Sequence, residues 1–178
     1  GDGTVVEGKV HETTGVAIPL STTAGDYYLI VKADSGNEVL EINGSSDAET
    51  NNWASSSSIR VATPDLWVSS QSVSPASLAV GETASVRFTI SNLASDPNAI
   101  AGRFAYGIFL SDDPTITAAD KNLWDATKWS GLGANESLTE DISVTIPADT
   151  AAGIHYLGVL ADFNSEVIEG DATAENNN

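Results

Sequence analysis

The sequence predicts an all-β sandwich that recurs along the chain. Short alternating apolar and polar segments follow one another between Gly, Pro, Asn and Asp clusters. No window sustains the apolar period of a helix. Residues 18–52 (IPLSTTAGDYYLIVKADSGNEVLEINGSSDAETNN) are written again, recognisably, at 146–178 (IPADTAAGIHYLGVLADFNSEVIEGDATAENNN).

A constant offset of 128 pairs Ile18 with Ile146, Gly25 with Gly153, Tyr28-Leu29 with Tyr156-Leu157 and Ala33-Asp34 with Ala161-Asp162. It also pairs Glu38-Val39 with Glu166-Val167 and Glu41 with Glu169, and a short deletion then aligns Glu49 with Glu175 and Asn51-Asn52 with Asn177-Asn178. A unit repeated at domain length marks an array, in which copies multiply reach or avidity.

Taken in order, residues 1–61 are expected to form the carboxyl-terminal half of a first unit. In the duplicated strand, Leu29, Val31 and Ala33 match Leu157, Val159 and Ala161, which predicts that this side is buried; opposite it, Ile30 and Lys32 stand where the second copy has Gly158 and Leu160. Residues 53–61 (WASSSSIRV) are expected to be the last strand of the first unit. Residues 62–65 form the joint, because Pro64 bars helix at the preceding residue and interrupts strand pairing.

The second unit is expected to occupy 66–178, opening on the strand read at 65–72. In 85–92, Val86, Phe88 and Ile90 alternate with Arg87, Thr89 and Ser91, as a half-buried strand requires. In 103–110, Phe104, Tyr106 and Ile108 oppose Ala105, Gly107 and Phe109, and further on Ile142, Val144 and Ile146 share a face. Between these, 118–129 (AADKNLWDATKW) has no clear alternation and reads as a loop or short helical crossover. The second unit lacks a counterpart of 53–61, so the chain is expected to be a window on a longer series.

Charge is the compositional outlier: seven basic residues face 25 acidic ones, for a net −18. Such a field repels phosphate backbones and anionic headgroups, which makes nucleic acid and bare membrane surfaces poor partners, and no nucleic acid is expected. With no cysteine, disulfides, thiolate zinc sites and thiol catalysis are excluded. No segment has the roughly 18 apolar residues of a spanning helix, so direct membrane insertion is not expected.

Three phrases together carry a family resemblance: PDLWVSSQSVSPASLAVGETASVRFTISN, GIFLSDDPTIT and the second copy of the repeat. Residues 64–178 resemble the CARDB family, cell-adhesion-related domains of bacteria, and 1–61 resemble the carboxyl-terminal half of another copy. The resemblance implies an immunoglobulin-like antiparallel sandwich on an exported, extracellular repeat protein of the cell surface, and no enzymatic activity.

The acidic turn following the duplicated strand is the best candidate site. The first copy offers Asp34, Glu38, Glu41, Glu49, Asn51 and Asn52, and the second Asp162, Glu166, Glu169, Glu175, Asn177 and Asn178. Calcium takes oxygen ligands from carboxylates, Asn side chains and carbonyls, which makes it the candidate ion. The competing reading is turn chemistry, in which Asp and Asn side chains bond nearby backbone amides. A second, weaker cation candidate is Asp112 and Asp113, with Asp120.

Catalysis finds no constellation, since the paired carboxylates fall on a repeated turn. His11 and His155 align with Thr139 and Tyr27, so both read as incidental strand residues. Trp53, Trp67, Trp124 and Trp129 allow an alternative, a carbohydrate-binding accessory module of a secreted enzyme, with packing as the simpler account. The expected role is a non-catalytic spacer of an extracellular fibre or adhesin, calcium-stiffened and polymerising by strand complementation. Its expected partners are neighbouring repeats or identical subunits, with surface glycans under the alternative.

Overall fold

The structure is a computed structural model and describes residues 15–19, 22–39 and 52–170. Among these residues every regular element is a strand. Residues before Ala62 form β1 (Gly25–Tyr27), β2 (Ile30–Lys32), β3 (Trp53–Ser55) and β4 (Ile59–Val61). Residues after it form β5 (Leu66–Ser74), β6 (Thr83–Asn92), β7 (Phe104–Ser111), β8 (Lys121–Lys128), β9 (Ser137–Thr145) and β10 (Tyr156–Ala161).

β5 to β10 build an immunoglobulin-like antiparallel sandwich from two sheets, ordered β5-β6-β9 and β10-β7-β8. Period-two alternation sets its core: Ala84, Val86, Phe88 and Ile90 of β6 face Phe104, Tyr106 and Ile108 of β7, with Val144, Val159 and Ala161 beside them. Tyr106 stands edge-on to Phe88 and Trp124, the orientation favoured by ring quadrupoles. The outward residues of β6 and β9 meet in a ladder of short polar groups, Thr89 with Thr139 at 3.0 Å, Ser91 with Ser137 at 2.8 Å and Ser85 with Asp141 at 2.5 Å.

β7 is buried along its whole length, on both faces. Its second face is covered by Phe163, which stands edge-on to Phe109. Ile116 of the 112–120 loop covers Gly158, the residue paired with Phe109. A side chain at Gly158 would run into Ile116, which explains why this copy carries glycine where the first carries Ile30.

Three expectations are corrected. Residues 121–128 are a strand, not a loop or helical crossover: β8 pairs with β7, and a bulge opposite Ile108 and Phe109 lets Leu123 and Trp124 both pack on the core. That bulge erases the alternation the sequence would otherwise show. Residues 53–61 are two strands, not one, with β3 paired to β2 and β4 to β1. The ladder slips at Ser56, whose amide donates to the Leu29 carbonyl at 2.9 Å and whose hydroxyl accepts the Leu29 amide at 3.1 Å.

The third correction concerns burial. In the second copy Val159 and Ala161 are buried and Leu157 packs against the core, as expected. In the first copy Leu29 is 39% exposed and Val31 72%. The pattern is the same, but among the described residues no second sheet lies over it.

Candidate functional site: the acidic turn and the joint

The acidic turn has the same geometry in both copies. Asp34 and Asp162 adopt left-handed φ values of 44° and 47°, and three residues on Asn37 and Ser165 do so again at 56° and 53°. Asp and Asn tolerate this region because their short polar side chains bond locally. In the first copy Asp34 Oδ1 accepts the Glu38 amide at 2.8 Å and Oδ2 the Val39 amide at 2.9 Å. In the second, Asp162 Oδ1 accepts the Glu166 amide and Oδ2 the Val167 amide, each at 2.8 Å. Each aspartate thus takes the place of a further backbone turn and uses both oxygens on its own loop.

Of the other described candidates, the Glu166 and Glu169 side chains and the Asn52 carbonyl have partners. Glu166 is ion-paired with Arg103. Glu169 is buried and accepts the Leu66 amide at 2.9 Å. The Asn52 carbonyl accepts the Ala33 amide at 2.7 Å. Glu38 sits with its side chain against Gly36. Glu41, Glu49, Asn51, Glu175, Asn177 and Asn178 lie outside the described residues. Among the described residues no three His, Cys, Asp or Glu side chains converge on one point.

The weaker set is likewise engaged in turns. Asp113 Oδ1 accepts the Thr115 amide at 2.7 Å and Asp120 Oδ2 the Thr117 amide at 2.6 Å. The Thr117 amide, with the Thr117 and Ser111 hydroxyls, holds the Asp120 carboxyl below the ordinary aspartate range. Asp112 is exposed, and its Oδ1 lies 2.8 Å from His155 Nδ1, away from hydrogen-bond alignment. His155 precedes β10 rather than lying on a strand, and its Nε2 is 2.8 Å from the Ala151 carbonyl.

The second acidic turn borders residues 62–66, where Glu169 holds Leu66 and Gly170 packs on Thr63. Pro64 and Leu66 are buried there. Arg60 at the end of β4 donates from Nε to Asp96 at 2.5 Å and lies 3.5 Å from Asp26. The Asn98 amide and the Arg60 side chain hold the Asp96 carboxyl below its usual range. A shallow cavity of ≈ 260 Å³ remains between Arg60, Thr63, Asp65, Asp96 and Gly170.

Sequence reasoning missed Asn92 and Arg103. Asn92 is fully buried; its Nδ2 donates to the Ala99 and Leu132 carbonyls at 2.8 and 3.1 Å, and its Oδ1 accepts the Asp65 and Ala94 amides at 3.1 and 3.2 Å. Its even position in the alternation of β6 places it inward, and that was the available signal. The Arg103 guanidinium carbon stands 5.2 Å from the Trp129 ring centroid while pairing Glu166. In a chain with seven basic residues, each one is a place to look.

The four tryptophans do not form one platform. Trp124 packs on the core, whereas Trp53, Trp67 and Trp129 are 57%, 43% and 73% exposed. Trp129 lies beyond β8 and Trp67 on β5 in the opposite sheet.

The described residues after Ala62 thus define an antiparallel two-sheet sandwich whose anchoring aspartate builds a turn. The CARDB family model matches residues 63–178, and the chain belongs to that family of cell-adhesion-related bacterial domains. The family is non-catalytic and of bacterial surface or extracellular context. Comparison with curated proteins gives no match. No helix among the described residues is long and apolar enough to cross a membrane.

Proposed function

We propose that the chain is a non-catalytic structural repeat of an extracellular bacterial fibre or adhesin, acting as a spacer. One observation carries the reading: the same aspartate-anchored turn, with the same φ pair and the same two carboxylate bonds, recurs at 34–39 and 162–167. A geometry kept twice at domain spacing serves the framework of a unit, not a single centre. Residues 62–65, clamped by Arg60, Asp96, Glu169 and Leu66, are a short stiff link between units. Stretching single molecules tests this. A spacer shows a discrete, reversible rupture of the β5–β10 sandwich; smooth extension at low force would falsify the reading.

The acidic turn enters this proposal as a turn builder. Both oxygens of Asp34 and Asp162 already hold backbone amides, so melting curves with calcium and with chelator are expected to superimpose. A rise in melting temperature with calcium would restore the ion and assign it to the remaining carboxylates.

The sugar-binding alternative has one observation in its favour, the exposed Trp129 ring beside Arg103. Glycan binding abolished by Trp129→Ala would establish it, and no binding across a glycan array would remove it.

A further inference from the structure

Trp129 is the most exposed aromatic side chain among the described residues. It adds nothing to the core, yet the backbone around it is held firmly. The Gly131 amide donates to the Lys128 carbonyl at 3.1 Å, which puts Trp129 near the tip of a tight turn leaving β8. Gly131 has a left-handed φ of 63° and lies so close to the Ala101 and Gly102 carbonyls that a Cβ there would collide with them. Ala101 and Leu132 exchange two backbone hydrogen bonds, each 2.9 Å, and the buried Asn92 side chain donates to the Leu132 carbonyl. The turn is therefore fixed to the loop that precedes Arg103. Arg103 reaches the ring, its guanidinium carbon 5.2 Å from the centroid, while Glu166 pairs with one of its nitrogens. Glu166 is itself placed by the Asp162 carboxylate, which accepts its amide at 2.8 Å. An exposed indole and a donor–acceptor pair are thus presented on rigid backbone, so a ligand would have little ordering to impose.

We infer that Trp129, Arg103 and Glu166 form a site for a neutral sugar, a hexopyranose unit of an uncharged glycan. The inference takes the sugar-binding alternative to one ligand class and rests on that reading, not on the spacer reading. Three features select the ligand. A pyranose ring has an apolar C–H face, and stacking it on the open indole buries both. Its neighbouring hydroxyls donate as well as accept, and the ion pair answers both needs, because a guanidinium only donates and a carboxylate only accepts. Charge sets acidic sugars aside. Arg103 is already neutralised by Glu166, so it does little to offset the repulsion that a net −18 exerts on a uronate. Lys128, the neighbouring cation, pairs with Phe104 and lies on the core-facing row of β8. A protein partner fits less well, because interface hot spots sit at the centre of a well-packed apolar patch, and the residues beside this ring are Lys128, Ser130 and Arg103.

Calorimetry and tryptophan fluorescence on the full chain test this. The probes are neutral hexose oligosaccharides of gluco, manno and galacto configuration, beside uronic-acid oligosaccharides of equal length. The expected result is binding of at least one neutral probe, with an affinity insensitive to salt, and no binding of the uronates. Trp129→Ala should abolish it, and Trp129→Phe, which keeps a ring, should retain part of it. Arg103→Lys keeps the charge and loses the planar fork, and Glu166→Gln removes the carboxylate; each should weaken binding about tenfold, the effect of one lost hydrogen bond. Silence across the whole panel would remove both this inference and the sugar-binding reading. Tighter binding of the uronates, or neutral binding left unchanged by Arg103→Lys and Glu166→Gln, would overturn this inference alone.

Discussion

The buried Glu169 carboxylate accepts the Leu66 amide hydrogen at 2.9 Å, joining residues 103 apart in the chain. One strand of the sandwich begins at Leu66, and Glu169 lies on the segment that follows the second acidic turn. Glu169→Ala would leave a buried amide unpaired, and its expected cost is about 1–3 kcal/mol. Glu169→Gln keeps an acceptor oxygen in place and should lose less. Denaturant unfolding of the two variants checks the order.

Asp162→Ala removes both acceptors that shape the second acidic turn, including the one for the buried Val167 amide. Bonds to charged acceptors are worth about 1.5–3 kcal/mol each, so a loss of roughly 3 kcal/mol is expected. Asp162→Asn should recover part of it, because asparagine tolerates the left-handed backbone and retains one oxygen. Amide exchange at Glu166 and Val167 would report the turn directly.

Asn92→Ala should be the most damaging polar substitution in the sandwich. It would strip partners from two carbonyls and two amides, of residues 65, 94, 99 and 132, for an expected loss of about 3 kcal/mol or more. Asn92→Asp should also destabilise, since a carboxylate has no hydrogens for the Ala99 and Leu132 carbonyls. Equal melting temperatures for Asn92→Asp and wild type would contradict this account.

Gly158→Ile would install the residue that the first copy carries at this position. The new side chain would collide with Ile116, and overpacking of this kind costs about 1–3 kcal/mol. Ile30→Gly in the first copy should be nearly neutral by comparison, because Ile30 is exposed. Thermal melts of the two variants decide the matter.

The Arg60–Asp96 contact predicts a pH dependence with a definite sign. Asp96 has its carboxyl pKa lowered by the Asn98 amide and the Arg60 guanidinium. A depressed carboxyl pKa contributes stability above the ordinary aspartate value and loses it as pH falls through the folded-state value. The stability that the Arg60–Asp96 contact adds should therefore drop on acidification below about pH 4, and Asp96→Asn should flatten that part of the profile. Carboxyl NMR titration of Asp96 measures the shift itself.

Much of the sandwich was legible in the sequence because period-two alternation survives wherever one strand face is dry. It identified the inward sets of β6, β7, β9 and β10, down to Val159 and Ala161. β8 escaped because its bulge places Leu123 and Trp124 on the core together. The break at Ser56 escaped because four consecutive serines carry no pattern in which a register slip could show. At the acidic turn the sequence located Asp34 and Asp162, and composition alone left two readings, ion and turn. Backbone amides 2.8 to 2.9 Å from the carboxylate oxygens reveal the turn chemistry, which residue counting cannot detect. Asn92 and Arg103 act through partners far away in the chain, and no local pattern announces them.

The hydroxyl ladder on β6 and β9 gives the molecule one flank unlike the rest. Arg87 stands directly opposite Asp141 there, and the neighbouring positions are Ser and Thr. Eighteen surplus negative charges push like molecules apart, yet this flank is locally neutral and almost blind to that push. Contact between two such molecules along it would set hydroxyls and a self-paired charge against each other in place of unpaired carboxylates.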